Sequence, residues 1–162
     1  MEPKDLIQAL ENSYRDFLNV ATELSNLQNQ NISVHPITNN QCKKTLQLII
    51  EIQDEIFLLR LKKIIALENP YLPMLRIDKI KQRIVKVDLT YEQMIDIFKR
   101  LRQELLAFLT SLPAEKWSRT GLHETEGHIT FKEIVLRMIK KEQEIISVLH
   151  QGCNSEDAVS QD

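Results

Sequence analysis

Proline and glycine are placed so that they leave four long stretches of the chain uninterrupted, and this constrains the fold more than any other feature. The five prolines, Pro3, Pro36, Pro70, Pro73 and Pro113, each stand where a helix would start or just after one would stop. That placement suits a residue that lacks an amide hydrogen and clashes inside a helix. Glycine is confined to Gly121, Gly127 and Gly152, too few for an architecture built from many tight β-turns.

The stretches between these breakers carry helical periodicity. In the first, from about Lys4 to Leu27, Leu6, Leu10, Tyr14, Phe17, Ala21 and Leu24 recur at three- and four-residue steps on one face. A polar connection from Gln28 to Asn40 follows. Asn40 is suited to cap a second helix from about Gln41 to Glu68. Leu46, Leu48, Ile49, Ile50, Ile52, Ile56, Phe57, Leu58, Leu59 and Leu61 make that helix apolar on more than one side, which predicts two neighbours, or one neighbour and a second subunit. Asn69-Pro70-Tyr71-Leu72-Pro73 breaks the chain. The segment from Arg76 to Leu89 fits either a short helix through Ile77, Ile80, Ile84 and Val85 or an extended run over Arg83–Leu89.

Thr90 with Gln93 three residues later reads as a capping box that opens a third long helix through Met94, Phe98, Leu101, Leu105 and Leu109. Pro113 closes it. A loop containing Trp117, Gly121 and Gly127 leads to Thr130, the cap of a fourth helix from about Phe131 to His150. Helices of roughly 20 residues are about 30 Å long, and their apolar faces are satisfied by packing on each other. The expectation is therefore one all-α domain over residues 1–150, a four-helix bundle with two longer connections, followed by a disordered polar tail, 151–162.

Composition sets outer limits on function. The chain has 162 residues, 43% hydrophobic and 27% charged, with a net charge of −2, an ordinary globular balance with no overall attraction for nucleic acid or an anionic membrane. No apolar run approaches the roughly 20 residues of a spanning helix, and the N-terminus lacks the basic-then-apolar order of a secretory signal. Cys42 and Cys153 could pair, but two cysteines do not make a disulfide framework. Cytoplasmic location is the expectation.

Chemistry-bearing residues are few. On the fourth helix, the apolar face of Phe131, Ile134, Val135, Met138, Ile145 and Leu149 is interrupted where Lys141 and Glu142 fall. Either both lie at the seam, with Lys141 carrying its charge outward, or a charged group faces a polar pocket halfway along. On the second helix Gln53 shares a face with Ile49, Ile52 and Ile56, with Asp54 and Glu55 at its edge. Gln53, Asp54, Lys141 and Glu142 form the candidate pocket. The four histidines, His35, His123, His128 and His150, are scattered, with no pair at helical spacing to share a metal; His123 and His128, in an exposed loop with Glu124 and Glu126 nearby, offer a metal site only through that loop. The basic run Arg76–Lys86 reads as a connector with a solvated face. No phosphate loop, nucleophile elbow or zinc-cysteine pair is present.

The stretch from Leu112 to Ile134 resembles the loop before the last helix in the DinB-like superfamily. The matching residues are Leu112, Pro113, Trp117, Arg119, Gly121, His123, Gly127 and Thr130, and the helix order over residues 5–150 agrees in outline. The resemblance implies a bundle that is often dimeric and in many members holds zinc or nickel through three histidines, activating a water or a thiol. The positions where those ligands would fall carry Ile50 (or Ile49), Lys141 and Ile145, so no metal and no cofactor is expected. What remains is a metal-free, degenerate bundle acting as a small-molecule binding or interaction module, with a small anionic molecule and a second copy as candidate partners and neither nucleic acid nor membrane. The alternatives are a small-molecule transferase or hydrolase using a non-histidine site, with a buried Lys141 as base or nucleophile, and a bundle that only scaffolds a dimer.

Overall fold

The computed structural model describes residues 1–30 and 36–151. It is mostly helical, in agreement with an all-α class. The first helix, α1 (Pro3–Asn29), begins with proline in its first turn, where the missing amide costs nothing. The second, α2 (Pro36–Ile56), starts earlier than expected: Asn40 lies inside it, because Pro36 supplies the helix-starting backbone that Asn40 was expected to cap. This helix continues through a π-helical turn (Phe57–Leu61) into α3 (Lys62–Ala66). The wider turn swings Arg60 inward, where its Nη2 donates to the Pro73 carbonyl at 2.9 Å, and leaves Leu58 and Leu59 exposed.

The segment 76–89 resolves in favour of helix over its first part, α4 (Ile77–Ile84), with Ile77, Ile80 and Ile84 buried. The next helix, α5 (Tyr91–Ser111), opens with the Thr90–Gln93 capping box, both reciprocal bonds present. The last, α6 (Phe131–His150), is capped by Thr130, whose hydroxyl accepts from the Glu133 amide.

Sequence reading placed no strands, and here the structure corrects it. Tyr71–Leu72 (β1), Thr120–His123 (β2) and Gly127–Thr130 (β3) form a small sheet in the order β1-β2-β3, the first pair parallel and the second antiparallel. These segments are only two to four residues long, so no periodicity announces them. Their pairing is set by approach: a side chain at Gly121 would lie 2.5 Å from Leu72 Cδ1.

Helix α1 packs against α5 and α6, and α2 packs against α5, α6 and α4. Ser25, late in α1, bonds Glu92 at the start of α5, so those two run antiparallel. Tyr91, at the start of α5, donates to Asn39 at the start of α2, so those two run parallel. Phe131 at the start of α6 lies edge-on to Trp117 just after α5. Helix α4, with Ile77, Ile80 and Ile84 buried, is one of the neighbours of α2's broad apolar surface. Cys42 is buried in α2; Cys153, His35 and the expected tail beyond Gln151 lie outside the described residues.

Candidate functional site at the centre of the helical core

Four polar side chains meet midway along the long helices, one from each. Ser13 of α1, Gln53 of α2, Arg102 of α5 and Glu142 of α6 are all buried, none more than 4% exposed. Each stands in phase with its helix's apolar face. Leu10 and Phe17 flank Ser13, Ile49 and Ile56 flank Gln53, Phe98 and Leu105 flank Arg102, and Met138 and Ile145 flank Glu142, always at three- and four-residue steps. Helical geometry therefore turns these polar groups inward together with the hydrocarbon.

Arg102 organises the cluster. Its Nε donates to Gln53 Oε1 at 2.5 Å, its Nη1 to the Leu10 carbonyl at 2.8 Å, and its Nη2 to Glu142 Oε2. Ser13 Oγ donates to the other carboxylate oxygen of Glu142. The guanidinium carbon lies 4.8 Å from the centre of the Phe98 ring, which stacks on Phe17. A buried ion pair is tolerable only when hydrogen bonds satisfy the groups around the charges, and here both carboxylate oxygens and all three guanidinium nitrogens have partners. One donor stays over: Gln53 Nε2 is buried with no partner among the described residues. The amide cannot be turned to relieve it, because Arg102 Nε requires an acceptor at that end.

The four residues expected to line a pocket separate into two pairs. Gln53 and Glu142 belong to the sealed cluster, joined by Arg102. Asp54 and Lys141, each one position around its helix, are only half-buried. Partial burial raises the Asp54 carboxyl above the ordinary range, with Glu55 and Glu104 adding repulsion and Arg100 and Arg83 opposing it. Three depressions of the described surface lie away from these residues. A depression of about 570 Å³ is lined by Glu68, Asn69, Glu115, Lys116, Arg119 and Thr120; smaller ones lie along α1 and on α4.

No protein-family profile, no curated protein and no solved structure matches this chain.

The residues at the positions implied by the DinB resemblance do not fit a metal. Ile50 and Ile145 are buried hydrocarbon, Lys141 is a cation at the boundary, and among the described residues no three His, Cys, Asp or Glu groups stand together to hold one. His123, expected in an exposed loop, is instead buried at the end of β2. Its Nδ1 accepts from the Thr125 and Glu126 amides at 3.2 and 3.3 Å, which shapes the hairpin turn. His128 on β3 is exposed, with its Nδ1 3.2 Å from Asn69 Oδ1. The residues that sequence reading missed are Arg102 and Ser13. A signal existed for both: each interrupts an apolar stripe at mid-helix, as Glu142 does.

Proposed function

We propose that this chain is a metal-free four-helix bundle of the DinB-like kind, working as a binding or interaction module rather than as an enzyme of the bundle centre. The observation that carries the reading is the sealed cluster around Arg102. A guanidinium sits where all four long helices converge, and each helix supplies it with one polar partner or is itself its carrier. The order of the helices, with α1 antiparallel to α5 and α2 parallel to it, and the fully packed setting of Trp117, Gly121 and His123 support the same reading.

A transferase or hydrolase working at this level would need its substrate to touch an inward-facing charge. Arg102 and Glu142 spend those charges on each other and are closed to solvent. Binding of a small anionic molecule, or of a second copy, would instead use the outer surface. The test is direct: purified protein should hold transition metal far below one equivalent per chain. It should also add nothing to background rates of thiol transfer or ester hydrolysis on model substrates. One tightly held metal per chain, or turnover that disappears in Arg102→Lys while the fold persists, would overturn the proposal.

A further inference from the structure

Charge on this chain is segregated. Over residues 76–88 it carries Arg76, Lys79, Lys81, Arg83 and Lys86 against only Asp78 and Asp88, in a molecule whose net charge is −2. Folding sorts that run. Ile77, Ile80 and Ile84 turn into the core against α2, and Lys79, Gln82, Arg83 and Lys86 line a shallow outward depression of about 440 Å³. Spacing of three and four residues places Lys79, Gln82 and Arg83 on one face of α4, and Lys86 lies in the turn that follows. Arg83 is shared with Glu55 and Glu51 at 2.8 and 3.6 Å, whereas no described carboxylate pairs with Lys79 or Lys86.

Two valines stand beside this stripe. Val85 is 70% exposed and Val87 47% exposed, an unusual placement for aliphatic side chains so near a core helix. They are held there. Lys44 Nζ, from α2, donates to the Ile84 and Val87 carbonyls at 2.8 and 2.5 Å, and the buried Gln47 Nε2 donates to the Val87 carbonyl at 3.2 Å. The end of α4 is thus clamped to α2 with its valines facing out, so little conformational freedom is left to lose when a partner covers them.

We propose that the outer face of α4 is a docking surface for an anionic lipid bilayer, with Lys79, Arg83 and Lys86 against the headgroup phosphates and Val85 and Val87 in the interfacial layer. Charge complementarity selects an anionic partner, since lysines near such a surface each add favourable energy that salt screens. The exposed groups beside the cations are aliphatic, which suits the headgroup boundary. A single-stranded nucleic acid would call for aromatic stacking platforms, and residues 76–88 contain none. This proposal is independent of the reading of the bundle centre.

The test is flotation of the purified full chain with vesicles of equal parts phosphatidylcholine and phosphatidylglycerol, beside vesicles of phosphatidylcholine alone. The expected result is binding to the anionic vesicles only, weakened at high salt. K79E/K86E should lose about tenfold or more in affinity, and V85S/V87S should also bind more weakly. Circular dichroism should report an unchanged fold in both, with K79Q/K86Q as a milder charge variant. Absence of binding to the anionic vesicles would overturn the proposal. So would equal binding to neutral ones, undiminished binding by either variant, or tighter binding to a single-stranded oligonucleotide.

Discussion

Arg102 and Glu142, forty residues apart, form an ion pair in which the two side chains are 0% and 4% exposed. The pair joins α5 to α6 across the centre of the helical core. Its two charges have no water to fall back on, so each depends on the other.

Removing one partner should therefore cost far more than removing both. Arg102→Met leaves the Glu142 carboxylate buried with only Ser13 as a described donor, and the expected loss is about 3–5 kcal/mol. The double variant R102M/E142L replaces the pair by hydrocarbon and should recover much of that loss. Denaturant unfolding of the two single variants and the double variant checks this. Additive losses would mean that the pair is not energetically coupled.

Gly121 and Gly127 should respond differently to alanine. A Cβ at Gly121 would lie 2.5 and 2.8 Å from buried Leu72 side-chain atoms and 3.1 Å from the Pro70 carbonyl oxygen. G121A should cost about 1–3 kcal/mol through overpacking and loosen the contact of β1 with β2. At Gly127 nothing lies within 4 Å of the added carbon, but φ is +78°. G127A should cost about 1–2 kcal/mol through backbone strain alone. Thermal unfolding gives both losses, and amide exchange at Leu122 and Glu124, whose N–H groups bond Pro70 and Leu72, should quicken mainly in G121A.

Thr90 should behave as a helix cap and nothing more. Its hydroxyl accepts from the Gln93 amide at 3.1 Å, and the Gln93 side chain accepts from the Thr90 amide at 2.9 Å. Thr90→Ala should destabilise by about 1 kcal/mol and Thr90→Ser by much less. Equal losses in the two variants would point to the methyl group rather than the hydroxyl.

Tyr91 gives the stability a dependence on alkaline pH. Burial pushes its phenol up to about 12, and the hydroxyl donates to Asn39 Oδ1 at 2.6 Å. In the unfolded chain the same phenol titrates near 10. Because the folded value is the higher one, its contribution is fully present below about pH 10 and is lost as pH rises through about 12. The stability difference between wild type and Tyr91→Phe should shift steadily against the wild type across that interval. A difference that stays constant would place the phenol in contact with solvent.

The sequence announced individual residues better than their partners. The Thr90 capping box and the Thr130 cap were readable because a cap is a local arrangement, complete within one helical turn. The start of α2 was missed because a proline opening the helix and an asparagine cap further on gave competing local signals. Gln53 and Glu142 stood out as polar residues inside apolar stripes, but the same argument applied to Arg102 and Ser13, which were passed over in favour of Leu101 and Tyr14 beside them. A helix face is wide enough that periodicity alone does not choose between adjacent positions.

By itself the sequence determined that four amphipathic helices would form and where most of them begin, since breakers, caps and apolar spacing act over a few residues. It also placed charged groups at mid-helix, where packing would have to accommodate them. Only the tertiary structure decided that Arg102 meets Glu142 and Gln53, that α4 packs on α2, and that Tyr71-Leu72 joins the hairpin as a third strand. Those outcomes depend on contacts between segments tens of residues apart, which local periodicity does not encode. They were settled by which arrangement buries the apolar faces while leaving Arg60, Arg102 and Glu142 with hydrogen-bond partners.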